Sequence, residues 1–114
     1  MGLDIELVAR KCNSEREILV GYWRNHYALE KELKLIMNDE YKTAEVPYEL
    51  SYEEANKLYT HLYYNTFDDV KRHRNYWQSS WWHSFWYTYK ILFRLERVIR
   101  HWKRYAGVTL YVCY

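Results

Sequence analysis

The chain has 114 residues, of which 49% are hydrophobic and 20% aromatic, with three glycines and one proline. This length and composition indicate a single domain over residues 1–114 and exclude a disordered chain, since disordered chains are poor in aromatic residues. The formal net charge of +2 conceals an asymmetry along the chain. Residues 1–70 are acidic, with 8 Lys and Arg against 14 Asp and Glu. Residues 71–114 are basic, with nine Lys and Arg against the single Glu96. Such a division favours an anionic partner for the basic part, unless the acidic helices neutralise it within the fold.

The N-terminal third is predicted to be a strand followed by a helix. Residues 1–10 alternate apolar and polar side chains, which is typical of a short strand. Ser14 and Glu17 have the spacing of a capping box, in which each residue satisfies a free backbone N–H of the other. We expect one continuous helix behind this box, ending at Asn38 and Asp39, because the residues of its predicted apolar face recur every three or four positions. They are Leu19, Tyr22, His26, Leu29, Leu33 and Ile36.

A linker and a second helix are predicted next. Residues 41–50 contain the only proline, Pro47, and no regular hydrophobic pattern. Ser51 and Glu54 form a second capping box, and an apolar stripe with helical spacing follows it as far as Asn65. The expected element is therefore a helix from about residue 51 to residue 65.

The C-terminal third is predicted to contain a strand, a long helix and a closing strand. Residues 75–82 alternate strand-type side chains, Gly107 occupies the position of a helix C-cap, and residues 108–114 are β-branched and aromatic. The helix between them has an apolar face formed by Thr88, Ile91, Leu92, Leu95, Val98, Ile99 and Trp102, and a basic face formed by Lys90, Arg94, Arg97, His101 and Arg104. We therefore predict an α+β domain in the order β-α-α-β-α-β, with three helices packed on a short two- or three-stranded antiparallel sheet.

Four short segments form a pattern that is similar to one found in other proteins. They are MGLD at the N-terminus, GYWRN at residues 21–25, YELSYE at residues 48–53 and YWQSSW at residues 76–81. In this order they resemble small phage- and prophage-encoded proteins of unknown function that begin MGLD-x-x-L and carry GYWR and YxSSW elements. Glu6 stands where those proteins have an aromatic residue, and the basic helix and final strand lie outside the resemblance. The resemblance implies a protein that acts in the cytoplasm of a bacterial host, and it implies no particular activity.

Signatures of enzymes and of bound metals or cofactors are absent from the sequence. There is no Gly-rich phosphate loop and no GxSxG, HExxH or CxxC motif. The five histidines are scattered, and Cys12 and Cys113 lack ligand spacing, so we expect two free thiols, no metal and no cofactor. Ser79 and Ser80 could form a nucleophile pair, but spacing places no base beside them, and hydrogen bonding within a sheet is the simpler interpretation. No signal peptide or membrane-spanning run is recognised.

The functional hypotheses are based on the cations and aromatic residues of the C-terminal third. Side chains that could bind an anion or a partner are Lys71, Arg72, Arg74, Lys90, Arg94, Arg97, Arg100, Lys103 and Arg104. Aromatic side chains that could stack on a ligand or contact a partner are Trp77, Trp81, Trp82, Trp86 and Tyr87.

Because Tyr, Trp and Arg are enriched at binding hot spots, we expect a non-enzymatic binding protein. The resemblance to phage proteins supplies the context, so the leading hypothesis is a phage-encoded protein that inhibits a host defence system. Examples are an anti-CRISPR or a sequestering inhibitor of nucleotide-signalled immunity, and the partner would be a host protein or ribonucleoprotein, contacted mainly by Arg94, Arg97 and Arg104. The alternative is a nucleic-acid or nucleotide-binding module whose cations hold phosphates while its aromatic rings stack on bases. A small hydrolase of nucleotides or nucleic acid is a third class, and the oligomeric state is left open.

Overall fold

The computed structural model describes residues 2–37 and 47–114. Within these ranges the chain is an α+β fold with a four-stranded antiparallel sheet in the order β2-β1-β4-β3. The predicted class is therefore confirmed, although both the sheet and the helix layer have one element more than expected. The elements are β1 (Asp4–Lys11), β2 (Glu17–Arg24), α1 (Tyr27–Ile36), β3 (Tyr48–Glu49), α2 (Tyr52–Tyr64), α3 (Thr66–Trp77), α4 (Trp81–Arg100) and β4 (Tyr105–Cys113).

The core lies between one face of the sheet and the helices. Side chains alternate along a strand, so Ile5, Leu7 and Ala9 of β1 are buried while Glu6 and Arg10 are exposed. The apolar face predicted for the long helix supplies the opposite side of this core, as expected. Its members Thr88, Ile91, Leu95 and Val98 are buried, and Leu92, Ile99 and Trp102 are partly buried against the same cluster.

The helix predicted to begin at Ser14 is wrong in its first half, because residues 17–24 form strand β2. The Ser14 hydroxyl accepts a hydrogen bond from the Arg16 N–H at 3.0 Å instead of capping a helix. The pairing of β2 with β1 shifts register between Leu7 and Val8, where β2 carries one additional residue. This bulge directs both Val20 and Trp23 into the core, whereas Leu19, one of the residues on which the helix was predicted, is 46% exposed.

Asn25 and His26 connect the end of β2 to the start of helix α1. Asn25 has a left-handed backbone with a φ of 55°, and its side-chain oxygen accepts a hydrogen bond from the Leu3 N–H at 2.9 Å. His26 then caps the helix, because its ring Nδ1 accepts a hydrogen bond from the Leu29 N–H at 3.1 Å. The predicted end of this helix at residues 38–39 lies outside the described residues.

The strand predicted for residues 75–82 is also wrong, since residues 75–77 end α3, residues 78–80 form a tight turn and residues 81–82 begin α4. Gln78 has a φ of 52°, which is the left-handed conformation that ends many helices. Ser80 is the N-cap of α4, and its hydroxyl accepts a hydrogen bond from the His83 N–H at 3.2 Å. The strand propensity of the aromatic residues is therefore outweighed by capping and by packing of the two helices.

The capping box at Ser51 is confirmed. The Ser51 hydroxyl accepts from the Glu54 N–H at 3.1 Å, and the Glu54 carboxylate accepts from the Ser51 N–H at 2.9 Å. Helix α2 ends at Tyr64, close to the predicted position. Most of the predicted linker, residues 41–46, lies outside the described residues, and the short strand Tyr48–Glu49 follows it and pairs with β4.

The C-terminal elements differ from the prediction in their boundaries. Helix α4 ends at Arg100 and a short 3-10 helix, Trp102–Arg104, leads into β4. Gly107 lies inside β4, opposite Arg10 of β1, and is therefore not a helix cap. Strand β4 begins at Tyr105, three residues before the predicted start.

The two cysteines lie at opposite ends of the sheet. Cys113 is paired with Asp4 at the start of β1, whereas Cys12 follows Lys11 at the end of the same strand. Both thiols are free and exposed. Among the described helices, none has the length and apolar character needed to cross a membrane.

Candidate binding surface and cavity

Helix α4 carries a row of aromatic side chains on the face opposite the core. We call Trp82, Phe85, Trp86, Tyr89 and Phe93 the α4 stripe. Their exposed fractions are 66%, 38%, 46%, 49% and 55%. Four of them recur at intervals of four, three and four residues, which places them in one line along a helix.

Four rings of the α4 stripe, those of Trp82, Phe85, Trp86 and Tyr89, contact one another along the helix. The centroids of Trp82 and Trp86 are 6.1 Å apart and those of Trp86 and Tyr89 are 5.9 Å apart, both edge to face. Phe85 stacks with Tyr89 at 6.3 Å. These geometries are favourable for aromatic pairs, so the rings form a continuous and ordered apolar surface in contact with solvent. Exposed apolar surfaces of this kind commonly mark interaction sites.

Three cations border the α4 stripe on one side. Successive residues of a helix are separated by about 100° around its axis, so Lys90, Arg94 and Arg97 lie along the flank next to Trp86 and Phe93. All three cations are exposed. The Arg94 guanidinium donates a hydrogen bond to the carbonyl of Leu19 in the edge strand β2 at 3.3 Å, which holds that side chain against the sheet. The surface therefore combines apolar rings with positive charge.

The remaining predicted cations are divided among other elements. Arg100 is paired with Glu96 four residues earlier in α4. Lys103 and Arg104 are exposed in the 3-10 helix, so the predicted continuation of the basic row to Arg104 within one helix is wrong. The cations of α3 are also exposed, and they are Lys71, Arg72 and Arg74.

The other predicted aromatic contacts lie outside the α4 stripe. Trp81 packs against Phe67 at 5.3 Å between centroids where α4 begins. Trp77 is 52% exposed at the end of α3. Tyr87 points towards β2, and its hydroxyl donates a hydrogen bond to the carbonyl of Tyr22 at 2.7 Å. Burial raises the pKa of the Tyr87 phenol.

A cavity of about 390 Å³ opens where the end of β2 meets α3 and α4. This cavity could not be predicted from the sequence, because its lining residues lie in three separate segments of the chain that only folding brings together. Buried and partly buried side chains form its inner part, and exposed side chains form its rim. The inner residues include His26, Asp69, His73 and Tyr87, and the rim residues include Arg24, Arg72, Tyr76 and Trp77.

His26 and Asp69 form a buried pair at the inner end of the cavity. The His26 Nε2 and the Asp69 Oδ1 are 2.7 Å apart, and both side chains are 8% exposed. Because Nδ1 already accepts the hydrogen bond from the Leu29 N–H, the proton must be on Nε2, which donates to Asp69. The pair thus joins the start of α1 to α3. Sequence reasoning missed it, since His26 was assigned to the apolar face of a longer helix.

His73 is held by two serines and by an aromatic ring. Its Nδ1 lies 3.1 Å from the Ser84 hydroxyl and 3.4 Å from the Ser79 hydroxyl, and the two hydroxyls are 2.7 Å apart. Its ring stacks on Tyr87 with 4.4 Å between centroids. Burial lowers the pKa of His73, so the imidazole is neutral at pH 7.

The structure therefore places a base beside Ser79, which spacing did not show. Within the described residues, however, no carboxylate contacts His73 to orient it, and Ser84 is fully buried and also hydrogen-bonds the carbonyl of Ser80 at 3.2 Å. These bonds fasten the turn between α3 and α4, which is a structural role. Ser79 and Ser80 therefore form hydrogen bonds, as expected, but they do so in the turn between α3 and α4 and not within a sheet.

Within the described ranges, no group of three or more histidine, cysteine, aspartate and glutamate side chains is placed so that it could hold a metal ion. Comparison of the chain with protein-family models, curated proteins and solved structures gave no match. Function is therefore inferred from the geometry of the α4 stripe and the cavity.

Proposed function

We propose that the protein is a non-enzymatic binding protein that occupies a host factor with the outward face of α4 and thereby blocks a host defence system. The observation that carries this proposal is the α4 stripe, a line of exposed rings bordered by Lys90, Arg94 and Arg97. The resemblance of four short segments to phage-encoded proteins supports the host context. An anti-CRISPR and a sequestering inhibitor of nucleotide-signalled immunity are two forms that such a protein could take.

The residue types of this surface are those that supply most of the energy in protein interfaces. Tryptophan, tyrosine and arginine dominate binding hot spots because they bury a large area with few rotatable bonds. The rings are already ordered against one another before binding, so less conformational entropy is lost on association. Helix α4 also contributes Ile91, Leu95 and Val98 to the core, and a surface on a rigid helix can be presented to a partner without rearrangement.

The charges of the surface specify the chemistry of the partner. Lys90, Arg94 and Arg97 form the charged flank of the stripe, and like charges placed opposite one another across an interface are unfavourable. A second copy of the same face would bring these cations together. The proposed partner is therefore a protein with an apolar groove bordered by Asp and Glu, and its association rate should fall as salt concentration rises.

The test compares what is retained from a bacterial lysate by the wild type and by a variant with Trp86→Ala and Phe93→Ala. Tyr27→Ala with Tyr64→Ala is the matched control, since it removes two exposed rings, 54% and 79% exposed, from other helices. Loss of two hot-spot rings is expected to weaken binding by about 30-fold or more, which eliminates retention. The control should retain the same partner as the wild type. Equal retention by the stripe variant would contradict the proposal.

A second candidate function is binding of nucleic acid or a nucleotide by the same face. It is favoured by the exposed rings of Trp82 and Trp86 beside the cations, because stacking on bases and contact with phosphates use these two residue types. Short DNA, RNA and cyclic oligonucleotides would be titrated at low salt, where phosphate contacts are strongest. Binding that weakens on charge reversal with Arg94→Glu and Arg97→Glu would support this candidate, and undetectable binding at low salt would exclude it.

A further inference from the structure

We propose that the cavity between β2, α3 and α4 binds a small ligand that joins an aromatic ring to an anionic group, the chemistry of a mononucleotide. The cavity, of about 390 Å³, lies within the range of small-molecule sites. It is formed by residues that the α4 stripe does not use. The proposal therefore stands or fails independently of the partner surface.

Aromatic side chains at the rim provide surfaces for a planar ring. Tyr76 and Trp77 are 43% and 52% exposed, and their rings meet edge to face at 4.9 Å. Further inside, the stacked rings of His73 and Tyr87 form an apolar wall. A base or similar ring could therefore bury its faces against aromatic surface, a contact that contributes substantially to nucleotide affinity.

Two arginines at the rim provide the anion-binding groups. Arg24 belongs to β2 and Arg72 to α3, so they approach the cavity from two different elements. Arg24 forms an ion pair with Asp4 at 3.8 Å, and because both side chains are partly exposed this pairing is weak and an anion could compete for the guanidinium. Arg72 has no ion pair with any carboxylate of the described residues. A guanidinium without a partner can bind a phosphate through two parallel hydrogen bonds.

The acidic group inside the cavity does not compensate the charge of Arg72. Asp69 is the only carboxylate among the described lining residues, and its Oδ1 already accepts the hydrogen bond from His26. His73 is neutral, and its Nδ1 is engaged by Ser84. Its Nε2 is left without a protein partner in the described residues, so it is the ring nitrogen that a ligand could hydrogen-bond. Within the described residues, the cavity therefore combines ring surfaces, the free ring nitrogen of His73 and the unpaired guanidinium of Arg72.

The test measures binding of AMP, adenosine and inorganic phosphate to the full chain by calorimetry. AMP is expected to bind at least about tenfold more tightly than adenosine or phosphate alone, because only AMP uses both the ring surfaces and the arginines. Arg72→Gln should weaken AMP binding by about tenfold or more. Arg72 is exposed and unpaired within the described residues, so this variant should keep the Tm of the wild type.

Arg97→Gln is the matched control, since it removes an exposed arginine from the outward face of α4. It should leave AMP binding unchanged, which separates the cavity from the charged flank of the α4 stripe. The proposal is overturned if AMP, GMP, CMP and UMP all fail to bind saturably. It is equally overturned if AMP binds no better than adenosine, or if Arg72→Gln binds AMP as the wild type does.

Discussion

The buried pair of His26 and Asp69 makes a quantitative prediction, because His26 performs two separate tasks. Its Nδ1 caps α1 by accepting from the Leu29 N–H, and its Nε2–H donates to the buried carboxylate of Asp69. His26→Ala removes both interactions. Loss of a helix cap costs about 1 kcal/mol, and loss of a hydrogen bond to a buried charged group costs about 1.5–3 kcal/mol.

The expected loss of unfolding free energy for His26→Ala is therefore about 2.5–4 kcal/mol, a large fraction of the roughly 5–15 kcal/mol typical of a domain. His26→Asn separates the two tasks. Asparagine is a good N-cap residue, so this variant should recover about 1 kcal/mol of the loss while the contact with Asp69 remains broken. His83→Ala is the control, since His83 is exposed and, within the described residues, its ring hydrogen-bonds the cap residue Ser80 alone.

Urea unfolding followed by circular dichroism measures these differences. For His26→Ala we expect the midpoint to fall by roughly 1 M urea or more. The control should lie within about 0.5 kcal/mol of the wild type. A His26→Ala protein as stable as the control would refute the assignment of a buried, hydrogen-bonded pair. If His26→Asn were no more stable than His26→Ala, the capping role alone would be refuted.

Two further predictions concern packing and pH. In Gly21→Ala the new Cβ would lie 2.7 Å from the Trp23 ring and 3.1 Å from the Ile91 side chain, so we expect the unfolding free energy measured in urea to fall by about 1–3 kcal/mol. Gly107→Ala is the control and should lower it less, because the new Cβ there meets the flexible side chain of Glu49. Equal losses for the two variants would contradict this prediction. Burial lowers the pKa of His73 below its usual value of about 6.5. Below that pH the unfolded chain gains a proton that the folded protein still lacks, so the unfolding free energy should fall as the pH decreases from about 6.5 towards the folded pKa. His73→Gln should decrease this pH dependence, and an unchanged dependence would contradict the assignment.

Features that depend on neighbouring residues could be predicted from the sequence. The capping box at Ser51, strand β1 and the buried face of α4 follow from local spacing, and the structure confirms all three. The helix predicted over β2 was wrong because Leu19, Tyr22 and His26 have helical spacing, whereas the side chains that the bulged strand buries are Val20 and Trp23. Spacing of this kind cannot distinguish a bulged strand from a helix.

The candidate sites show the same limit. Trp82 and Trp86 are recognisable as possible contacts in the sequence, because many aromatic residues occur together there. Trp86 falls within the predicted helix, whereas Trp82 falls within the predicted strand and joins the same helix face only because α4 begins at Trp81. The cavity could not be predicted at all, since His26 and Arg72 come close only through the packing of α1, α3 and β2. Contacts of that kind depend on tertiary structure and leave no periodic signal.

The central claim is that the α4 stripe is the surface that binds a partner. Its most direct test is the dissociation constant of the purified partner, measured at one salt concentration for the wild type, Trp86→Ala and Tyr64→Ala. We predict that Trp86→Ala weakens binding by about 30-fold or more without a change in Tm, while Tyr64→Ala binds as the wild type does. Equal dissociation constants for all three proteins would contradict the claim.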